Sequence, residues 1–143
     1  MTMSISRIFG VSGTALNAQL VRMNLTASNL ANANTSAISP DDAFKAKRPV
    51  FQALVDQEKT NPCAPWVGGV KVDRIVDDKT PHPTVYEPQH PQADANGYVH
   101  KSNVNEISEM VEMMSAARSY QNNVEVVNTA RELMMRTIDI LKG

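Results

Sequence analysis

The sequence predicts a mainly α protein with a small β insert, in which long N- and C-terminal helices pair as a coiled coil around a middle of short strands and loops. Three observations predict it. All eight prolines fall between Pro40 and Pro91, so long helices belong to the two proline-free ends. Both ends carry apolar residues at alternating three- and four-residue steps. The middle instead holds short alternating runs bounded by Gly, Pro and Asn. The expected segments are residues 1–36, a helix closing in an asparagine-rich stretch; residues 37–103, a proline-punctuated β/loop insert; and residues 104–143, a heptad helix.

The head helix is expected over residues 5–31, roughly 40 Å at 1.5 Å per residue. Its seam is Phe9, Leu16, Leu20, Met23, Ala27 and Leu30. Only Arg7 and Arg22 are charged before Pro40; the other polar positions are Ser, Thr, Asn and Gln. Gly10 and Gly13 each weaken the helix by roughly 1 kcal/mol relative to Ala. Alone in water such a helix is marginal. It ends in TASNLANANTS, with Asn29, Asn32 and Asn34 and no charge. A charge-poor helix coated with amides suits a crowded, semi-polar setting, where charges are costly to desolvate and amides can hydrogen-bond sideways. That points to assembly with other chains.

The tail helix is expected over residues 104–141, roughly 55 Å long. Its seam runs Met110, Met113, Ala117, Tyr120, Val124, Val127, Arg131, Met134, Ile138 and Leu141. Only Arg131 interrupts it, and its long stem can cover apolar surface. Asn103 or Asn105 can cap the start. Glu106, Glu109 and Glu112 sit where the helix dipole favours acids, and Arg131, Arg136 and Lys142 where it favours bases. The methionines read as adaptable packing on helix faces, with a promiscuous binding groove as the other reading.

In the middle, residues 49–55 and 70–76 are the strand candidates, joined through NPCAPWVGG. Val70 and Val72 alternate, then Ile75 and Val76 shift phase, as at a bulge or a strand's end. Asn96-Gly97 is a turn signal ahead of Tyr98 and Val99. One Trp and two Phe give this segment little core of its own.

Chemistry is sparse. A formal net charge of −1 gives no electrostatic reason for a nucleic-acid or anionic-membrane partner. No stretch approaches the roughly 20 apolar residues needed to span a bilayer. Arg7 interrupts the N-terminus before an apolar run builds up, so no Sec-type signal peptide is expected. The single Cys63 excludes an internal disulfide. His82, His90 and His100 match no familiar ligand spacing and read as loop residues, and Asp77-Asp78 reads as a solvated turn. Nucleophile elbows, Walker-type glycine loops and HExxH are absent. Neither catalysis, cofactor nor metal is expected. Two further readings explain less. A soluble coiled-coil adaptor accounts for the heptads but not for the charge-poor head. A hydrolase using the three histidines accounts for neither helix.

SNLANANT, residues 28–35, resembles the signature closing the N-terminal helix of flagellar rod and hook proteins. GGVKV (68–72), YEPQHPQADANGYV (86–99) and EMVEMMSAARSYQNNVEVVNTARELMMRTIDIL (109–141) extend the resemblance in order along essentially the whole chain. The resemblance implies a structural subunit of the bacterial basal body, with paired terminal helices stacked into a tubular wall. It also implies export through the flagellar type III apparatus without a cleaved signal, assembly in the periplasmic space, and torque transmission as the task. The implied partners are other copies and other rod proteins. The two apolar seams, with Asn29 and Asn32, are the expected assembly interface.

Overall fold

A computed structural model of the chain describes residues 2–54 and 68–142. Helix α1 (Thr2–Ala31) leads into β1 (Ser36–Ala37), β2 (Lys47–Leu54), β3 (Gly69–Asp77), β4 (Thr84–Tyr86) and β5 (Tyr98–Lys101), and α2 (Glu106–Lys142) follows. Both expected helices form. The strand candidates become β2 and β3, each starting earlier than expected. Val55 and most of the NPCAPWVGG joint, with Cys63 and Trp66, lie outside the described residues. Strands β1 and β4 were not expected from the sequence; at two and three residues they are too short to show a period.

The chain divides into two compact units. One comprises Met1–Val21, Val50–Arg74 and Ala116–Gly143; the other comprises Arg22–Pro49 and Ile75–Ser115. Each helix contributes to both. Strands β2 and β3 form a two-stranded sheet, and β1, β5 and β4 a three-stranded one in that order. In the latter, Ser36 lies opposite Lys101 and Ala37 opposite His100 on one side of β5. Val85 lies opposite Val99 on the other. Val99 is fully buried and anchors this sheet. Pro81, Pro83, Pro88 and Pro91 flank β4, so the short edge offers little backbone to a stray strand. The phase shift expected at Ile75 occurs, with Asp73, Arg74 and Ile75 all exposed. It does not end the strand. It falls where β3 passes from one unit to the other.

The Asn96-Gly97 turn forms as expected. Gly97 has φ 82°, and a Cβ there would meet the Tyr86 ring at 2.9 Å, so glycine is required twice over. Asp94 Oδ1 closes the loop by accepting from the Asn96 and Tyr98 amides, both at 2.8 Å. In the unit containing the first turns of α1, β3 comes close to the helix at Gly69. Thr14 Oγ1 donates to the Val11 carbonyl and accepts from the Val70 amide at 3.2 Å.

What the helices bury is not the apolar seam read from the sequence. The enclosed positions of α1 are Ser12, Ala18, Thr26 and Asn29; those of α2 are Glu109, Ala116 and Ala130. Ser12, Gln19 and Thr26, then Ala33 beyond the helix end, recur every seven residues, as do Glu109, Ala116, Asn123 and Ala130. Both rows consist of small or polar side chains. Phe9, Leu16, Met23, Leu30, Met113, Ala117, Tyr120, Val124, Val127 and Ile138 are half-buried, whereas Leu20, Ala27, Met110, Met134 and Leu141 are exposed. The methionines expected to pack on helix faces are mainly exposed as well: Met110, Met114, Met134 and Met135 all are. No helix among the described residues is long and apolar enough to cross a membrane.

Candidate functional site

The densest chemistry lies where the end of α1 meets the start of α2, within one unit. Asn105 is the cap of α2: its Oδ1 accepts from the Ser108 amide at 3.0 Å, satisfying a helix-end donor. Asn103, the other candidate, has a different task. Its Oδ1 accepts from the Ala46 amide at 2.7 Å, while its Nδ2 donates to the carbonyls of Asp78 and Thr80.

Behind the cap stand three carboxylates at three-residue steps, where the helix dipole favours negative charge. Each reaches α1. Asn34 Nδ2 donates to Glu106 at 2.5 Å, Asn29 Nδ2 donates to Glu109 at 3.0 Å, and Arg22 pairs with Glu112. As the α2 numbers rise, the α1 numbers fall, so these helix ends run antiparallel in this unit.

Glu109 is fully buried. A buried carboxylate needs a counter-charge and filled lone pairs. Arg48 of β2 supplies the charge, with Nη1 2.7 Å from Glu109 Oε1. That approach is off the hydrogen-bonding line, so it acts as an ion pair, and Asn29 provides the aligned bond on the other oxygen. Arg48 Nε also lies 3.7 Å from Asp78. Asn29 is saturated. Besides Glu109, it donates to the Lys47 carbonyl at 3.0 Å and its Oδ1 accepts from the Lys47 amide at 2.9 Å. It thus stands in for a strand neighbour at the start of β2.

The three asparagines therefore do three jobs. Asn29 joins both helices to β2. Asn32 closes α1 by returning its Nδ2 to the Ser28 carbonyl at 2.8 Å, and Asn34 ties the following turn to Glu106. The sideways amide bonding expected from the sequence occurs, but for Asn29 and Asn34 it is spent inside the chain. Asn29 is enclosed by its own fold rather than left open to a neighbour.

Asp77 and Asp78 stay at least partly in solvent, as expected, but each also makes a specific contact. Asp77 ends β3 and pairs with Lys47 at 2.9 Å. Asp78 accepts from the Thr80 hydroxyl at 2.6 Å and the Thr80 amide at 3.0 Å. These bonds, with Arg48 beside them, hold its carboxyl below the ordinary value of 3.8. Sequence reasoning missed Arg48, the bridging role of Asn103 and the burial of Glu109. The usable signal was the spacing of the three acids.

The histidines are dispersed in their bonding. His82 Nδ1 lies 3.0 Å from the Lys101 carbonyl, and His90 Nδ1 accepts from the Gln92 amide at 3.1 Å. Among the described residues no group of three His, Cys, Asp or Glu is placed to hold a metal ion. What this arrangement can do chemically is fasten two helix ends to β2.

The comparisons point the same way. Residues 9–36 match the family model described as flagella basal body rod protein, and residues 95–140 match flagellar basal body rod FlgEFG protein C-terminal. The chain is 46% identical to the flagellar basal-body rod protein FlgC of Salmonella typhimurium over 139 residues, 96% of this chain and 98% of that one. It is 45% identical to FlgC of Yersinia enterocolitica over 139 residues, with the same coverage. It is 41% identical to FlgC of Buchnera aphidicola subsp. Acyrthosiphon pisum over 140 residues, again 96% and 98%. With rod-family matches at both ends and full-length identity between them, the chain belongs to the FlgC family of flagellar basal-body rod proteins, a structural component of the basal body and not an enzyme.

Proposed function

We propose that this chain builds part of a tubular shaft in the basal body, meeting other copies and other rod proteins through the apolar positions of its terminal helices. The carrying observation is the mismatch between apolar and buried rows. Small and polar residues fill the enclosed heptad positions, while Leu20, Met110, Met134 and Leu141 stay exposed. Apolar area left in water costs roughly 25 cal/mol per Å², and neighbouring helices would recover it. On this reading the seam of Phe9, Leu16, Leu20, Met23, Ala27 and Leu30 and that of Met110, Met113, Ala117, Tyr120, Val124, Val127, Met134, Ile138 and Leu141 face neighbours in a coiled-coil wall. The shaft carries torque outward from the motor. Subunits reach the periplasmic space through the flagellar export apparatus as unfolded chains, which suits an α1 too charge-poor to be stable alone.

The test is genetic. A strain whose only copy carries Val124→Asp or Leu20→Asp should make soluble subunit yet fail to swim. An unpaired carboxylate at each helix contact costs several kcal/mol, repeated around the tube. Glu132→Gln is the control, since it removes only an exposed 2.5 Å pair with Arg136. Wild-type swimming with Val124→Asp would exclude the seam as the assembly surface.

A further inference from the structure

Asn96 alone among the asparagines of the chain is followed by glycine. That pairing carries a covalent reaction of its own. The backbone nitrogen of the following residue attacks the asparagine Cγ, a new N–Cγ bond closes a five-membered succinimide, and the Cγ–Nδ2 bond breaks. The proton of the attacking nitrogen leaves with Nδ2 as ammonia. Water then opens the ring at either carbonyl, giving aspartate or isoaspartate. Nothing is oxidised or reduced, and water is the one co-reactant. Glycine favours the attack because no side chain shields its nitrogen.

The fold imposes this pairing. Gly97 has φ 82°, and a Cβ there would meet the Tyr86 ring at 2.9 Å and the Pro88 Cβ at 3.1 Å. The turn therefore cannot take a bulkier residue that would cover the nitrogen. Asn96 is exposed. Among the described residues its carboxamide makes no hydrogen bond; its backbone amide does, to Asp94 Oδ1 at 2.8 Å. The carboxamides of Asn29, Asn32, Asn34 and Asn103 are all tied. The same turn restrains the reaction. The Gly97 amide donates to the Asp94 carbonyl at 3.0 Å, and Asp94 Oδ1 holds the amides on either side, those of Asn96 and Tyr98. A nitrogen held in that bond keeps its proton, so attack needs the turn to open first.

We propose that Asn96 is a site of spontaneous deamidation, gated by opening of the turn that Asp94 closes. Aspartate adds a second carboxylate to the turn, two residues from Asp94. Isoaspartate inserts a methylene into the main chain just ahead of Gly97. There the Gly97 carbonyl accepts from the Glu87 amide at 2.9 Å, and the Tyr86 and Tyr98 rings lie 5.2 Å apart. Either product loosens the connection between β4 and β5. The site is independent of the shaft reading, since no other chain takes part.

Peptide mapping by mass spectrometry tests it, on the purified full-length chain held at neutral and at mildly alkaline pH, with isoaspartate counted by enzymatic carboxyl methylation. Asn96 should convert before any other asparagine, and faster at the higher pH, because the backbone nitrogen must lose its proton. Asn96→Gln, whose longer side chain closes a less favourable ring, should suppress conversion at this position. The chain unfolded in urea should convert Asn96 at least roughly tenfold faster than the folded chain. Asp94→Ala should quicken the folded reaction by roughly tenfold, since two bonds to its carboxylate hold the turn shut. Another asparagine converting first, or a folded chain that keeps Asn96 intact while the urea-unfolded chain converts it, would overturn the site. Equal rates in the folded and unfolded chain, or a folded Asp94→Ala variant that reacts as wild type does, would overturn the gate. If circular dichroism shows Asp94→Ala unfolded, the comparison with urea decides the gate by itself.

Discussion

The two units enclose different kinds of helix side chain. Around the junction of the helix ends, the enclosed side chains are Asn29, Thr26 and Glu109, held by directional bonds to Lys47 and Arg48. In the unit with the first turns of α1 and the far part of α2, the enclosed helix positions are Ser12, Ala18, Ala116 and Ala130. These small residues have few bonds to make, and Ile8, Leu133 and Met134 remain in water beside them. The first unit specifies one geometry, because a displaced partner strands a buried charge. The second leaves its apolar surface unclaimed. A subunit that must find its own shape first and its neighbours second needs both.

The largest expected effect breaks the first unit. Arg48→Met removes the counter-charge of a fully buried carboxylate and should cost about 3–5 kcal/mol, read from urea unfolding. Adding Glu109→Met should recover most of it, because an apolar pair of similar volume is tolerated where a lone charge is not. Leu133→Ser in the other unit, at an exposed position, should stay within about 0.5 kcal/mol. Equal costs for Arg48→Met and Leu133→Ser would erase the contrast between the units.

Asn29→Ala should follow at about 1–3 kcal/mol, since it orphans the amide and carbonyl of Lys47 and one oxygen of Glu109. Chemical-denaturation midpoints measure it. Asn32→Ala, which loses only an exposed bond to the Ser28 carbonyl, should cost less than half as much. If the two were equal, the asparagine-rich signature would be acting as a uniform helix end, not as three separate devices.

Why the sequence revealed some of this and not the rest follows from range. Proline placement, the acids at the start of α2 and the Asn96-Gly97 turn are local, and each predicted its element correctly. The pairing of Arg48 with Glu109 joins β2 to α2 across 61 positions of sequence, and no spacing announces it. The apolar rows carry a different ambiguity. Periodicity reports that a helix face leaves water, not whether its own chain or a neighbour covers it. Leu20 and Met110 carry the same pattern as a core seam yet are exposed. The row Ser12, Gln19, Thr26 and Ala33 was present to be read, but small polar residues at heptad spacing carry no hydrophobic signal.

Gly69→Ala probes the smaller contacts of the open unit. A Cβ at Gly69 would sit 2.8 Å from Thr14 Oγ1. That hydroxyl is fixed by its bond to the Val11 carbonyl at 2.8 Å and by a stiff β-branched rotamer. The cost should be about 1–2 kcal/mol in thermal unfolding, at the low end for overpacking. Thr14→Ala in the same chain should relieve the clash. If the double variant melts no higher than Gly69→Ala alone, the close approach of β3 to α1 is not set by this pair.

The smallest expected effect concerns acid. Asp78 has its carboxyl held down by two bonds from Thr80 and by Arg48, relative to an ordinary value of 3.8. A carboxylate with a lowered folded pKa contributes stability that is fully present well above the unfolded value and is lost as pH falls through the folded one. Unfolding free energy should therefore decline below about pH 5, and Asp78→Asn should flatten part of that decline while costing under about 1 kcal/mol at pH 7. Asp94 titrates in the same direction, lowered first by the bond from the Tyr98 amide, so the comparison is made in an Asp94→Asn background. Both groups belong to the unit with the buried polar network, and the acid sensitivity should be local to it. Amide exchange at Lys47 and Ala46 should quicken on acidification, while that at Val70, whose amide rests on the Thr14 hydroxyl, should follow only the intrinsic pH dependence. An equal loss of protection at both places would mean that the polar network and the small-residue seam unfold as one, and the division of labour between the units would not hold.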